Sequence, residues 1–143
     1  VDVTGPPVRG EAAPDAPRFD GASPPLQRIP IAVPANAAHV YTECARIWNP
    51  IHSDRRVALA AGLPDIILHG TATLALAVSR LVDHYLGGDP TRVRRLGGRF
   101  TAMVLMPSTL TLEVLGRSND TLFFTVLTQD GAAAFSNGFL TYG

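Results

Sequence analysis

Two histidines at breaks in the chain are the residues best placed to do chemistry. His52 follows Asn49-Pro50, and His69-Gly70 comes 17 positions later. Proline has no backbone N–H and disfavours the α conformation for the residue before it, so Asn49-Pro50 predicts a helix stop. An imidazole titrates near neutrality and can act as a general acid or base without special tuning. The pattern therefore favours His52 as a catalytic acid or base on a loop held by helices.

The second candidate is Gly70, at the start of a predicted helix. Its N–H could point at a substrate carbonyl, where the helix dipole favours developing negative charge. A simple helix-start glycine is the alternative. Thr71 shares this helix start and is a substrate-binding candidate, while His69 is an accessory candidate that could serve only to position the turn. Asn49 could hydrogen-bond a water, pin its loop, or form a plain Asx turn.

The run Trp48-Asn49-Pro50-Ile51-His52, with Ile67-Leu68-His69-Gly70 after it, resembles the MaoC-like type 2 (R-specific) enoyl-CoA hydratase and dehydratase family. The family motif is Asp-x-Asn-Pro-x-His, followed by a Pro-Ile-x-His-Gly-like segment. The resemblance covers roughly residues 26–142. It implies a hotdog fold and a lyase of fatty-acid metabolism that acts on CoA or acyl-carrier thioesters. It also implies catalysis by His52, Asn49 and Gly70, and no cofactor is expected.

The motif aspartate is missing, because its position holds Ile47. Isoleucine can neither accept a proton nor orient one. On a helix continuing to Trp48, Glu43 would share a face with Ile47 and could bring a carboxylate to the site. A solvated Glu43 is the alternative. Ile47 and Trp48 are also substrate-binding candidates, and Trp48 could either line an acyl chain or pack in the core.

Four arginines could meet the phosphates of coenzyme A or of a carrier-protein arm, with Arg99 as the candidate substrate-binding residue. A solvated strand edge is the alternative. The cluster comprises Arg92, Arg94, Arg95 and Arg99. Cys44 is expected on the core side of its helix rather than as a nucleophile. The spacing of the four histidines matches no metal-ligand pattern, and no metal is expected.

Composition bounds the class of protein. The 143 residues are 46% hydrophobic and carry 12 basic and 12 acidic side chains, which suits one globular domain. Zero net charge gives no field that favours nucleic acid or an anionic membrane. The apolar run 74–78 is far shorter than the ~18 residues of a membrane span, so no membrane partner is expected. A single cysteine cannot form an intramolecular disulfide, which favours a cytoplasmic location.

Residues 1–25 contain six prolines and few large apolar side chains, which predicts a tail or linker before a domain at 26–143. Alternation over 27–33 predicts a first strand, and Pro30 restricts it to a sheet edge.

Cap signals predict the helices that follow. Asn36 is a predicted N-cap for a helix that runs to about Trp48, and Ser53 or Asp54 could cap a short helix over 55–61. The helix over 71–86 is apolar nearly all round, which predicts burial on every side.

Downstream the apolar period changes from 3.6 to 2. This predicts an antiparallel meander of four strands beginning at 95–105, with turns at Ser118-Asn119-Asp120 and Asp130-Gly131. One buried helix wrapped by a curved antiparallel sheet is an α+β architecture, and it is the hotdog fold that the resemblance also implies.

Three functions stay open from the sequence. The first is a lyase that hydrates 2-enoyl thioesters or dehydrates 3-hydroxyacyl thioesters. The second is a non-catalytic acyl-thioester-binding subunit of a larger hydratase assembly, and the third is a hotdog thioesterase. Because an edge strand leaves unpaired backbone groups, we expect a homodimer or pairing with a second hotdog unit, with residues 1–25 as a tether.

Overall fold

The computed structural model describes residues 15–21 and 24–143, and the rest of the predicted tail lies outside this description. The elements are β1 (Gln27–Val33), α1 (Ala37–Ala45), α2 (Arg55–Ala60), α3 (Gly70–Tyr85), β2 (Val93–Phe100), β3 (Ser108–Ser118), β4 (Thr121–Leu127) and β5 (Ala133–Tyr142). Short 3₁₀ turns lie at Pro50–His52 and Pro90–Arg92.

The strands form one antiparallel sheet with the order β1-β3-β4-β5-β2. The predicted turns are confirmed: Asn119 (φ 49°) joins β3 to β4, and Gly131 (φ 85°) joins β4 to β5. The strand β1 is at one edge, as Pro30 predicted, and it pairs with β3.

The predicted four-strand meander is wrong at β2. This strand pairs with β5 at the far edge of the sheet instead of lying beside β3. The reason is that residues 101–107 do not turn back as a hairpin. They run along the loop before α3, where the Leu68 N–H donates to the Val104 carbonyl at 2.8 Å and Ile67 pairs with Leu105.

The core lies between α3 and one face of the sheet. Alternate strand residues pack there with Ala77 and Leu81 of α3, both of which are completely buried. The strand residues include Leu110, Leu112, Val114, Leu122, Phe124 and Val126. Each large side chain contributes about 1.5–3 kcal/mol through burial. This arrangement confirms the hotdog fold.

The prediction that α3 is buried on every side is wrong. Ala75 and Ser79 are exposed, because the sheet covers only one side of the helix and α1 covers only part of the other. The helix has 16 residues, and no helix in the described ranges is long and apolar enough to cross a membrane.

The opposite face of the sheet is covered in part by residues 15–21. The Phe19 ring packs on Phe123 with their centroids 5.4 Å apart, and it occupies the space where Gly116 would carry a Cβ. Arg95 donates a hydrogen bond to the Asp15 carbonyl at 3.1 Å. This part of the predicted tail therefore packs on the domain.

Candidate active site

The end of α1 sets the backbone around the site. The helix ends at Ala45, where Arg46 adopts a left-handed conformation (φ 55°) and the Ile47 N–H donates to the Thr42 carbonyl at 3.2 Å. The predicted continuation to Trp48 is wrong, because this left-handed cap turns the chain before Asn49-Pro50 is reached. Ile47 is thus outside the helix, so it does not share a helix face with Glu43 as predicted.

A 3₁₀ turn carries His52. Asn49 caps this turn, since its side-chain oxygen accepts from the Ile51 N–H at 3.4 Å, which is the Asx-turn alternative for this residue. Just beyond, Asp54 caps α2 as predicted, accepting from the N–H groups of Arg56 (2.8 Å) and Val57 (3.3 Å). His52 is therefore the last residue of a capped turn and lies just before a capped helix.

The hydrogen bond of His52 determines its tautomer. Its Nδ1 lies 2.7 Å from the Ile67 carbonyl oxygen, and a carbonyl can only accept. The neutral ring therefore carries its proton on Nδ1 and its free lone pair on Nε2. The side chain is half-buried, so Nε2 is the nitrogen that can take a proton from a bound water.

His69 stacks directly on His52. The ring centroids are 3.7 Å apart with 24° between the planes, and His69 is only 3% exposed. Its Nε2 lies 3.3 Å from the Ile47 carbonyl and 3.4 Å from the Thr42 hydroxyl, whereas its Nδ1 has no partner among the described residues. Burial lowers the pKa of His69, and the nearby charge of protonated His52 lowers it further, while the bond to Ile47 opposes both. His69 is therefore a neutral imidazole with its proton on Nε2.

The start of α3 lies beside this stacked pair. The His69 carbonyl accepts the N–H groups of Ala72 and Thr73, whereas those of Gly70 and Thr71 have no acceptor among residues 15–21 and 24–143. A Cβ on Gly70 would lie 2.9 Å from Cδ1 of Phe100, so this ring would have to shift to admit a side chain. Two free donors at a helix N-terminus can stabilise a developing oxyanion.

Comparison with known proteins assigns the family. Residues 21–133 match the model described as MaoC like domain. The chain belongs to the MaoC-like domain family. It is 42% identical over 67 residues to the peroxisomal enoyl-CoA hydratase 2 of Arabidopsis thaliana, which covers 47% of this chain and 22% of that protein.

Two further relatives extend this match. The probable enoyl-CoA hydratase 2 of Dictyostelium discoideum is 29% identical over 120 residues, or 80% of this chain and 41% of that protein. The MaoC-like dehydratase from Phytophthora capsici superposes with a TM-score of 0.85 at 22% identity, covering 99% of this chain and 48% of that chain. The MaoC-like chain thus spans less than half the length of each of these three proteins.

Several predicted site residues of the MaoC-like domain lie at its surface. Trp48 is 67% and Ile47 41% exposed, so the prediction that Trp48 could pack in the core is wrong. Glu43 is exposed and forms no hydrogen bond or ion pair within the described part of the chain. Cys44 is also exposed, and its core-side prediction is wrong because α1 buries Ala38 and Thr42. Position 44 lies about 200° around the helix from Thr42.

The predicted arginine cluster does not form one patch near the histidines. Arg95 packs over the Phe139 ring at 5.3 Å, and Arg92 over Tyr142 at 5.6 Å. Arg99 lines a cavity of about 520 Å³ under residues 15–21, on the outer face of the sheet. The next residue, Phe100, points to the inner face and contacts Gly70. The structure therefore brings Phe100 to the site instead of Arg99.

An apolar groove of about 390 Å³ lies beside the histidines, between α1 and α3. Its lining includes Leu68, Ala72 and Tyr41, whose ring is 5.0 Å from that of His69. Sequence reasoning missed Tyr41, Thr42 and Phe100 as site residues. Thr42 could have been found as a polar residue four positions after Ala38 on the buried face of α1. Phe100 gives no such signal, because its position depends on the pairing of β2 with β5.

Proposed function

We propose that this MaoC-like domain hydrates 2-enoyl thioesters or dehydrates 3-hydroxyacyl thioesters. One observation carries the proposal: the Nδ1–H of His52 is held by the Ile67 carbonyl, which leaves Nε2 free, and the ring stacks on His69, directly before the unpaired Gly70 and Thr71 N–H groups. A base and an oxyanion site are the two parts that addition of water to a conjugated thioester requires.

In the hydration direction, Nε2 of His52 takes a proton from water as the water oxygen bonds to C3 of the substrate. The electron pair of the double bond moves to C2 and onto the thioester oxygen, which accepts hydrogen bonds from Gly70 and Thr71. His52 then returns its proton to C2, and the C=O bond reforms. Dehydration follows the same steps in reverse. One oxyanion donor is typically worth about 3 kcal/mol in the transition state.

The side chain at position 47 supports a second candidate function. In the family motif this residue is an aspartate that works with the histidine, and a general acid or base is typically worth ~10²–10⁴-fold in rate. Ile47 cannot supply this contribution. A non-catalytic subunit that binds acyl thioesters for an active partner would tolerate its loss.

The apolar groove between α1 and α3 is our proposed site for the acyl chain. Tyr41 connects it to the His69 ring, and Leu68 directly precedes the histidine. Aliphatic groups favour such linings because binding removes apolar surface from water. The coenzyme A or acyl-carrier portion of the thioester would extend from the site toward the exposed Trp48 side chain.

We also propose that a second hotdog unit pairs along β2. This strand is the edge of the sheet that lacks a proline, whereas β1 has Pro30, and large apolar side chains are exposed on β2 and the following loop. They are Leu96, Phe100, Met103 and Leu105. The partner is a second copy or a related unit of a longer chain, which accords with the 48% coverage of the Phytophthora protein. A cytoplasmic location remains a prediction from the sequence.

Light scattering tests the pairing. We expect a dimer at micromolar concentration, and Leu96→Asp should shift it to a monomer because a carboxylate at the β2 edge would be desolvated on pairing. A clean wild-type monomer would exclude the second copy as the partner.

Steady-state hydration of crotonyl-CoA and of longer 2-enoyl-CoA substrates tests the function. We expect wild-type turnover, and its loss in His52→Ala because the neighbouring imidazole of His69 is buried. Glu43→Gln is the matched control: its side chain is exposed on α1, so activity should be unchanged. Turnover that survives His52→Ala would rule out the assigned role.

A further inference from the structure

His69 is a buried histidine that the proposed reaction does not use. It stacks on the His52 ring at 3.7 Å, and the Tyr41 ring contacts it at 5.0 Å with 50° between the planes. With 3% of its surface exposed, it has no free nitrogen that a substrate could reach. A buried, ionisable ring in such a place needs a reason, since a less polar side chain would fill the space at lower cost.

Two acceptors from α1 and its C-terminal turn fix the orientation of His69. The Nε2–H is shared by the Ile47 carbonyl at 3.3 Å and the Thr42 hydroxyl at 3.4 Å. The left-handed conformation of Arg46 turns the chain so that the Ile47 carbonyl meets His69. This contact belongs to the backbone, so it does not depend on which side chain occupies position 47.

His52 is then constrained in two directions. The Ile67 carbonyl accepts a hydrogen bond from its Nδ1–H at 2.7 Å, and the face of the His69 ring packs against the face of its own ring at 3.7 Å. Together these contacts determine where the lone pair on Nε2 points. We infer that His69 is a positioning residue for His52. The Ile47 main-chain carbonyl fixes the tautomer of His69, although the side chain at position 47 is not the carboxylate of the motif. This inference rests on the proposed function of His52.

The unpaired Nδ1 of His69 has a further consequence. A second proton on His69 would create a buried N–H without an acceptor among the described residues, next to the ring that must take a proton from water. The His69 ring therefore stays uncharged and keeps its contact with His52 while His52 gains and loses its proton.

Two variants of His69 separate the ring from its hydrogen bond. His69→Gln keeps an N–H donor near the position of Nε2 and removes the ring. His69→Phe keeps a ring and removes the donor. If the ring positions His52, His69→Gln lowers kcat by about tenfold or more with little change in KM, because small misplacements of a reacting group are costly. His69→Phe keeps more activity than His69→Gln. His84→Gln, at the exposed end of α3, is the matched control and should behave as wild type.

Nuclear magnetic resonance gives a readout that does not need turnover. In the wild type we expect ¹⁵N shifts typical of Nδ1–H for His52 and of Nε2–H for His69. In His69→Gln the His52 Nδ1–H signal broadens, while backbone amide signals of α3 show that the fold is kept. If His69→Phe does not fold, His69→Gln alone decides. An unchanged His52 signal, or an unchanged kcat in an active protein, overturns the positioning role. An inert wild type with the expected His52 signals refutes the proposed function and leaves the positioning role standing.

Discussion

The inner and outer faces of the sheet use their polar side chains in different ways. On the inner side, two histidines that are 17 positions apart stack at 3.7 Å, with backbone carbonyls on their ring nitrogens. On the outer side, Arg95 packs over the Phe139 ring and Arg99 lines a cavity wall. The 3₁₀ turn that carries His52 and the loop before α3 bring the two histidines together. On β2, by contrast, the consecutive residues Arg99 and Phe100 point to opposite faces of the sheet. Closeness in sequence is therefore a poor guide to a site on a strand.

Apart from changes at positions 47 and 52, the largest effect should come from the inner face, at the start of α3. Gly70→Val would place a side chain against the Phe100 ring and displace the N–H from the thioester oxygen. We expect activity to fall by about tenfold to a few hundredfold, in line with the loss of one oxyanion donor. Steady-state hydration rates measure the loss, and circular dichroism checks the fold.

Phe100 allows a control for that experiment. Phe100→Ala removes the ring that a Cβ at Gly70 would meet, so Gly70→Ala should be tolerated better in the Phe100→Ala background. Equal losses in both backgrounds would show that steric contact with Phe100 is not the reason for the glycine.

On the outer face, Phe19→Ala should change stability without changing chemistry. Its ring packs on Phe123 and over Gly116, and removing a partly buried phenylalanine should cost about 1–3 kcal/mol, somewhat less than a fully buried one. Urea unfolding measures the free energy, and hydration rates should stay at the wild-type level. A variant of wild-type stability with reduced turnover would instead show that Phe19 on the outer face influences the site on the inner face.

Stability should also depend on pH through His69. Its folded pKa lies below the ordinary value of 6.5, so the unfolded chain binds more protons than the native state near this value. The free energy of unfolding should therefore decrease as the pH falls through 6.5 toward the folded pKa. Urea midpoints at about pH 7.5 and 5.5 measure the change, which should be smaller in His69→Gln than in His84→Gln. Equal pH dependence in the two variants would contradict it.

The smallest effect should come from Arg99. Because it lines the outer cavity while Phe100 faces the histidines, Arg99→Gln should leave the KM for acyl-CoA substrates within about twofold of the wild type. A markedly higher KM would restore the prediction, made from the sequence, that Arg99 binds substrate phosphates.

Local signals in the sequence predicted much of this molecule. The cap at Asp54 and the turns at Asn119 and Gly131 depend on single residues and their neighbours, and all three are confirmed. The end of α1 was missed because a left-handed Arg46 has no strong sequence signal. The position of β2 was missed because it depends on pairing with a strand some 40 residues later.

The site was predictable to the same extent. The breaks at Asn49-Pro50 and at Gly62-Leu63-Pro64-Asp65, with His69-Gly70 leading into α3, correctly indicated that both histidines lie at the ends of helical segments. The Ile47 carbonyl could not have been anticipated, since sequence patterns describe side chains and this contact comes from the main chain. The catalytic roles of His52, Asn49 and Gly70 stay predictions.

The central claim is that His52 catalyses hydration in a chain that has no motif carboxylate. The most direct measurement is crotonyl-CoA hydration by the wild type, His52→Ala, Ile47→Asp and the double variant, at equal protein concentration. We expect measurable wild-type turnover that disappears in His52→Ala, with faster turnover in Ile47→Asp, since a regained acid or base is typically worth ~10²–10⁴-fold. The double variant should be inactive. An inert wild type together with an active Ile47→Asp would contradict the claim and identify the natural chain as a binding subunit.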